Sequence, residues 1–130
     1  MRILIRSSAF IAGWALFFLV SVAWSSGDGD ANIGIGLLAF GLVALAGAVW
    51  GWYDGRRLDF GALAVTWGLV GVLMGLIVPV FTALVDDELD ARVLASDIVV
   101  LMPFIACLVA GPAMVAGAVG MLAGTRHAPR

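Results

Sequence analysis

The sequence predicts an all-α polytopic membrane protein, with four transmembrane helices in an up-down bundle and both termini in the cytoplasm. Hydrophobic residues make up 63% of the 130 residues and charged residues only 12%, whereas a soluble domain carries roughly 25% charged residues. A chain this short cannot bury so much apolar surface in water. Four apolar runs are long enough to cross about 30 Å of hydrocarbon, and they contain no Asp, Glu, Lys or Arg. Such long uninterrupted runs are helical, because helices satisfy all backbone hydrogen bonds within lipid.

The four runs form a single domain over residues 1–130, with helices predicted at about 7–25, 33–53, 60–85 and 98–122. The first run exceeds the usual signal-peptide core of about 7–15 residues, so we expect it to be retained as a helix. It contains one glycine, Gly13, and the bulky run Leu16–Leu19. Close backbone approach holds membrane helices together, so helix 1 is expected to pack more loosely than the others or to face lipid.

Arginine sets the predicted orientation, because the chain contains no lysine. Arg92 alone would fall on one side of the membrane. The other six arginines would share the opposite side: Arg2, Arg6, Arg56, Arg57, Arg126 and Arg130. Cytoplasmic segments carry an excess of basic residues, which places both termini and the 54–59 turn in the cytoplasm.

Small residues recur at four-residue spacing in helices 2, 3 and 4, a pattern typical of close helix contacts in lipid. The glycines predicted to pack helices together are Gly47, Gly51, Gly55, Gly71, Gly75, Gly117 and Gly120. Packing inside one bundle is the preferred interpretation. Homo-oligomerisation through one of these stripes is the alternative.

The stretch "VWGWYDGRRLDFGALAV", residues 49–65, concentrates charge and aromatic residues between two helices. Asp59 directly precedes an apolar run and is predicted to cap helix 3. Asp54 is less expected, because a carboxylate at a helix C-terminus opposes the helix dipole at a cost of roughly 0.3–1 kcal/mol. Pairing with Arg57, or with an arginine elsewhere, would offset that cost. A structural turn is preferred over a ligand contact here.

A ligand site, if the protein transports, is predicted around aromatic residues. Trp14 and Trp67 lie roughly 10 Å inside their helices at 1.5 Å per residue, deeper than an interfacial belt requires. Their faces could hold a hydrophobic cation, and Thr66 could add a hydroxyl. Packing or contact with lipid is the preferred interpretation for both indoles, and ligand binding is the alternative. Asp97 is predicted to cap helix 4, with ligand contact as the alternative, and Asp54 completes the candidate set.

The predicted spans contain no ionisable group, which argues against proton-coupled antiport, since such transport uses a buried ionisable residue. The single Cys107 offers neither an intrachain disulfide nor a thiolate metal site. No catalytic cluster, metal site, nucleotide loop or basic patch for nucleic acid is present in the sequence. We therefore expect a protein that is not an enzyme, needs no cofactor and has the lipid bilayer as its surroundings.

"VWGWYDGR", a tryptophan in the next helix and "CLVAGPAMVAGAVG" together resemble a family of small actinobacterial four-helix membrane proteins of the bacterial drug/metabolite transporter class. The matching positions are Val49, Trp50, Gly51, Asp54, Gly55, Arg56, Trp67, Leu108, Val109, Pro112 and Ala113. The resemblance implies small-molecule transport without an assigned substrate. Together with the aromatic residues and the glycine stripes, it leads us to expect a bacterial plasma-membrane protein that moves a small hydrophobic or cationic molecule, as a homo-oligomer or in a larger complex. A non-catalytic accessory or scaffold subunit docking through glycine-rich faces is the alternative function.

Overall fold

The computed structural model describes residues 2–24, 29–85 and 90–125, and the side chains of residues 2, 22–24, 29–33 and 125 lie outside that description. Within these ranges the chain forms four helices and no strand: α1 (Arg2–Trp24), α2 (Gly29–Gly55), α3 (Phe60–Val85) and α4 (Ala91–Thr125). All four are long and apolar enough to cross a membrane. The predictions of an all-helical fold and of four candidate membrane spans are confirmed. Arg126 and Arg130, used above for orientation, lie outside the described residues.

The turn between α2 and α3 is fixed by two aspartates. The backbone N–H groups of Arg57 and Leu58 donate to the carbonyl of Asp54, at 2.9 and 2.8 Å, and this ends α2. The Oδ1 atom of Asp59 accepts a 2.9 Å hydrogen bond from the backbone N–H of Ala62. Asp59 thus satisfies one of the free N–H groups at the start of α3, and its predicted role as a cap is confirmed.

The start of α4 differs from the sequence prediction. The helix begins at Ala91 rather than at about 98, and Asp90 caps it, with Oδ1 accepting from the backbone N–H of Arg92 at 2.7 Å. Asp97 therefore lies inside the helix, on its exposed surface, and the prediction that it caps α4 is wrong. The segment before residue 98 is too polar to belong to an apolar run, but its alanine, leucine and arginine are good helix formers.

α4 packs mainly against α2 and α3. Gly47 and Gly51 of α2 face Val109 and Ala113 of α4, so the residue numbers increase together along this pair. Along α3 and α4 the order reverses, with Gly71 facing Ala106 and Gly75 facing Met102. α2 and α4 are thus parallel, and α3 runs antiparallel to both.

These helices approach so closely that several glycines have no room for a side chain. A Cβ added at Gly51 would lie 2.1 Å from the carbonyl oxygen of Ala113, and one at Gly55 would lie 1.9 Å from that of Gly117. An added Cβ would also come within 3.0 Å of a neighbouring helix at Gly47, Gly71, Gly75, Gly117 and Gly120. By contrast, a Cβ at Gly13, Gly41 or Gly68 would meet nothing within 4 Å.

α1 lies at the edge of this arrangement, with fewer contacts to α3 and fewer still to α2, in agreement with the looser packing expected from its composition. Phe10 packs edge-to-face on Trp67, and Phe18 does the same on Phe81, with ring centroids 6.0 and 5.6 Å apart. The buried core joins α1, α3 and α4 and consists of Phe10, Leu63, Trp67, Val70, Met74, Val78, Ile105, Val109, Ala110 and Ala113.

Candidate functional site

Asp54, in the last turn of α2, is buried, with 6% of its surface exposed. Its Oδ1 atom accepts a hydrogen bond from Nη2 of Arg6, which makes an ion pair between α1 and α2. Its Oδ2 atom accepts a 3.1 Å hydrogen bond from Nε1 of Trp67 on α3. The carboxylate therefore joins three helices, and both of its oxygens have donors. Donors and an opposite charge offset the cost of removing a carboxylate from water.

Arg6 also contacts the indole ring of Trp67, with Cζ 5.9 Å from the ring centroid. A guanidinium at this distance from an aromatic ring is attracted to its π face. Two buried polar atoms beside the ion pair, Nε of Arg6 and Oγ of Ser7, have no hydrogen-bond partner among the described residues. We call Arg6, Asp54 and Trp67 the charge cluster. Through Nε of Arg6, this cluster retains a hydrogen-bond donor that no described residue uses.

The charge cluster corrects one sequence-based expectation and decides between two others. The predicted spans contain no ionisable group, from which we expected helices without a buried charge. That expectation is wrong, because Arg6 and Asp54 are only 11% and 8% exposed in their side chains. Both residues lie just outside the apolar runs but within the helices, since α1 and α2 extend beyond those runs. Arg57 is exposed, and the partner of Asp54 is Arg6.

A groove of about 340 Å³ lies between α1 and α2. Its lining comes from these two helices alone, within the described part of the chain, and contains no charged residue. We call it the α1–α2 groove, and it is lined by Ala9, Phe10, Gly13, Trp14, Phe17, Ala39, Leu42, Val43, Ala46 and Trp50. A second cavity of about 350 Å³ shares Phe17 and continues along the same two helices to Val20 and Leu38. The weak α1–α2 contact thus leaves an elongated apolar space.

The charge cluster lies at one end of the α1–α2 groove. Arg6 precedes Phe10 by four residues and Asp54 follows Trp50 by four, and residues at this spacing share a helix face. The rings of Phe10 and Trp50 have centroids 6.0 Å apart, with 40° between their planes. This aromatic pair forms the end of the apolar lining that is nearest to the ion pair, so the groove is apolar along its length and charged residues lie just beyond its end.

The structure distributes the predicted ligand-binding residues over different environments. Trp14 is half-buried and lines the α1–α2 groove. Trp67 and Thr66 are buried in α3, and neither lines this groove. Asp54 is joined to Trp67 in the charge cluster, whereas Asp97 is exposed on α4. The structure thus brings together Asp54 and Trp67, whereas Trp14 follows Arg6 by eight residues in α1, about two helical turns along the groove.

Sequence reasoning missed Arg6, Phe10 and Trp50 as parts of this site. In the sequence, Arg6 serves only as an orientation signal, and Trp50 is only one of the aromatic residues of the 49–65 stretch. The signal that pointed toward the site was Asp54, whose unfavourable position relative to the helix dipole required a partner. Among the described residues, no group of His, Cys, Asp and Glu could hold a metal ion.

The chain was also compared with known proteins. No protein-family model, curated protein or solved structure matches it.

Proposed function

We propose that this chain is a transporter-like membrane protein that binds a small hydrophobic molecule in the α1–α2 groove. The groove itself is the observation that supports this function. Its volume of about 340 Å³ lies within the range of roughly 300–1,000 Å³ that is typical of small-molecule sites, which are mostly apolar with a few placed polar groups. The charge cluster beyond Phe10 and Trp50 would supply those polar groups.

We further infer an up-down bundle with both termini in the cytoplasm. The contacts between helices run in alternating directions, and the arginine asymmetry favours this orientation. In such a bundle the charge cluster lies toward the cytoplasmic end, and the α1–α2 groove extends from it toward the outer side. A lipophilic molecule would enter the groove sideways from the bilayer, since α1 and α2 contact each other so little.

The resemblance to the drug/metabolite transporter class supports the same proposal. The alternative, an accessory subunit that docks through its glycine faces, is less favoured. The seven glycines that would form those faces already meet neighbouring helices of the same chain. These glycines are therefore not accessible to a partner protein.

Filling the α1–α2 groove tests the proposal. Gly13 lines the groove, and an added Cβ there meets nothing within 4 Å, so Gly13→Phe should occupy the groove without disturbing the helices. Gly41→Phe is the matched control, because Gly41 is equally open but does not line the groove. The probe is N-phenyl-1-naphthylamine, a neutral hydrophobic fluorophore that accepts energy from tryptophan, and Trp14 and Trp50 lie in the groove as donors.

With the protein in lipid nanodiscs, we expect a saturable component of energy transfer to N-phenyl-1-naphthylamine in the original chain and in Gly41→Phe. Gly13→Phe should lose most of that component and keep only the linear part that comes from partitioning into lipid. An equal signal from all three proteins would refute binding in the groove.

A further inference from the structure

We propose that the preferred ligand of the α1–α2 groove is a lipophilic cation, and that the Arg6 guanidinium holds the position at Asp54 that the ligand's charge takes on binding. This inference rests on the proposed function and specifies the class of its ligand. Arg6 would then act as a tethered competitor, a cation of the protein that leaves Asp54 when the ligand arrives. Three features of the charge cluster carry the argument.

The first feature is the need of Asp54 for a positive charge. The carboxylate is buried, and Arg6 is its only ion-pair partner among the described residues. A buried charge that loses its partner is strongly destabilised, so Arg6 can leave only if another cation replaces it. A neutral or anionic molecule gives no such replacement. Asp54 therefore selects a positively charged ligand.

The second feature is the aromatic path from the groove to this position. Phe10, Trp14, Phe17 and Trp50 contribute their rings to the groove, and Trp67 lies under the guanidinium. Aromatic faces attract cations, most strongly where water is excluded. A cation with an apolar body could therefore place its body among the groove residues and its charge next to Asp54, with aromatic contact throughout.

The third feature is that Arg6 is displaceable. Its buried Nε has no hydrogen-bond partner within the described part of the chain, so the guanidinium is incompletely bonded where it lies. Arg6 is only four residues from the first residue of α1, and long arginine side chains near helix ends can reach the membrane–water interface. Exchange of one cation for another leaves the charge at Asp54 balanced.

Equilibrium dialysis against protein in nanodiscs tests this with two probes of matched shape and opposite charge, tetraphenylphosphonium and tetraphenylborate, with empty nanodiscs as background. We expect saturable binding of tetraphenylphosphonium to the original chain and none of tetraphenylborate. Arg6→Gln removes the tethered competitor and should tighten tetraphenylphosphonium binding at least tenfold. The double variant Arg6→Gln/Asp54→Asn has no charge at the site. Its binding of tetraphenylphosphonium should be at least tenfold weaker than that of the original chain.

The double variant keeps a neutral hydrogen-bonding pair, so its folding does not depend on an unpaired buried carboxylate. If Arg6→Gln alone fails to fold, the comparison of the original chain with the double variant decides the question. Equal binding of the two probes, unchanged cation binding in the double variant, or weaker cation binding in a folded Arg6→Gln would each overturn the inference. Because N-phenyl-1-naphthylamine is neutral, its transfer signal and the loss in Gly13→Phe report separately on the groove.

Discussion

The close contact between α2 and α4 predicts a large effect of one added methyl group, in the variant Gly51→Ala. The new Cβ would lie 2.1 Å from the Ala113 carbonyl oxygen and 2.5 Å from the Ala113 Cα, where ordinary contact begins at about 3.4 Å. α2 and α4 must therefore separate locally by about 1.3 Å, the difference between 3.4 and 2.1 Å. Backbone atoms rather than a flexible side chain are in the way, so a rotamer change cannot relieve the contact.

Three terms set the magnitude for Gly51→Ala. Overpacking typically costs about 1–3 kcal/mol, and the separation also weakens neighbouring dispersion contacts worth about 0.1–0.2 kcal/mol each. The third term is favourable, because the helix propensity of alanine exceeds that of glycine by about 1 kcal/mol. We expect a net loss of about 2 kcal/mol in the free energy of unfolding.

The assay is reversible unfolding in mixed micelles, followed by circular dichroism as the fraction of denaturing detergent increases. Gly41→Ala is the control, because its Cβ meets nothing within 4 Å, and its stability should be unchanged or slightly higher. If Gly51→Ala is as stable as Gly41→Ala, then α2 and α4 do not approach through Gly51 and the packing argument fails.

The same assay checks two further predictions. Trp67→Phe removes the indole N–H that donates to a buried carboxylate, so it should lower the unfolding free energy by about 1–3 kcal/mol. Trp52→Phe is the control, at a half-buried position whose ring faces an exposed arginine, and it should lower the unfolding free energy clearly less. An equal decrease in both variants would argue against the hydrogen bond of Trp67. Replacing the caps, in Asp59→Ala or Asp90→Ala, should each cost about 0.5–2 kcal/mol. Asp97→Ala, at an exposed mid-helix position, should stay within about 0.5 kcal/mol, and a loss there as large as at the caps would contradict the assigned start of α4.

The four helices were predictable because the bilayer imposes a length and a composition on each span. Apolar runs of about 20 residues leave few alternatives in lipid. The same reasoning gave the wrong start for α4, since hydropathy detects the membrane but not a helix that continues beyond it. Asp90 and the residues after it follow the rules of helix capping and helix propensity instead, and these rules could have located the start.

The candidate site was only partly predictable. Asp54 could be recognised as a residue that needs a partner, from its position in the last turn of α2. The identity of that partner could not be recognised, because Arg6 is 48 residues away in the sequence and the pairing depends on which helix faces lie side by side. The single glycine of α1 and its bulky run Leu16–Leu19 pointed to loose packing, but the lining of the groove required knowledge of both helices.

The two kinds of contact in this bundle also suggest which part of it moves. α2, α3 and α4 meet backbone to backbone at their glycines, and such contacts leave little freedom to slide or separate. α1 is attached differently, by the charge cluster and Phe10 near its start and by Phe18 on Phe81 near its end. Side-chain contacts of this kind can exchange partners without moving a backbone. If binding of a lipophilic molecule changes the conformation, α1 should therefore be the helix that moves. The α1–α2 groove should widen while α2, α3 and α4 keep their register.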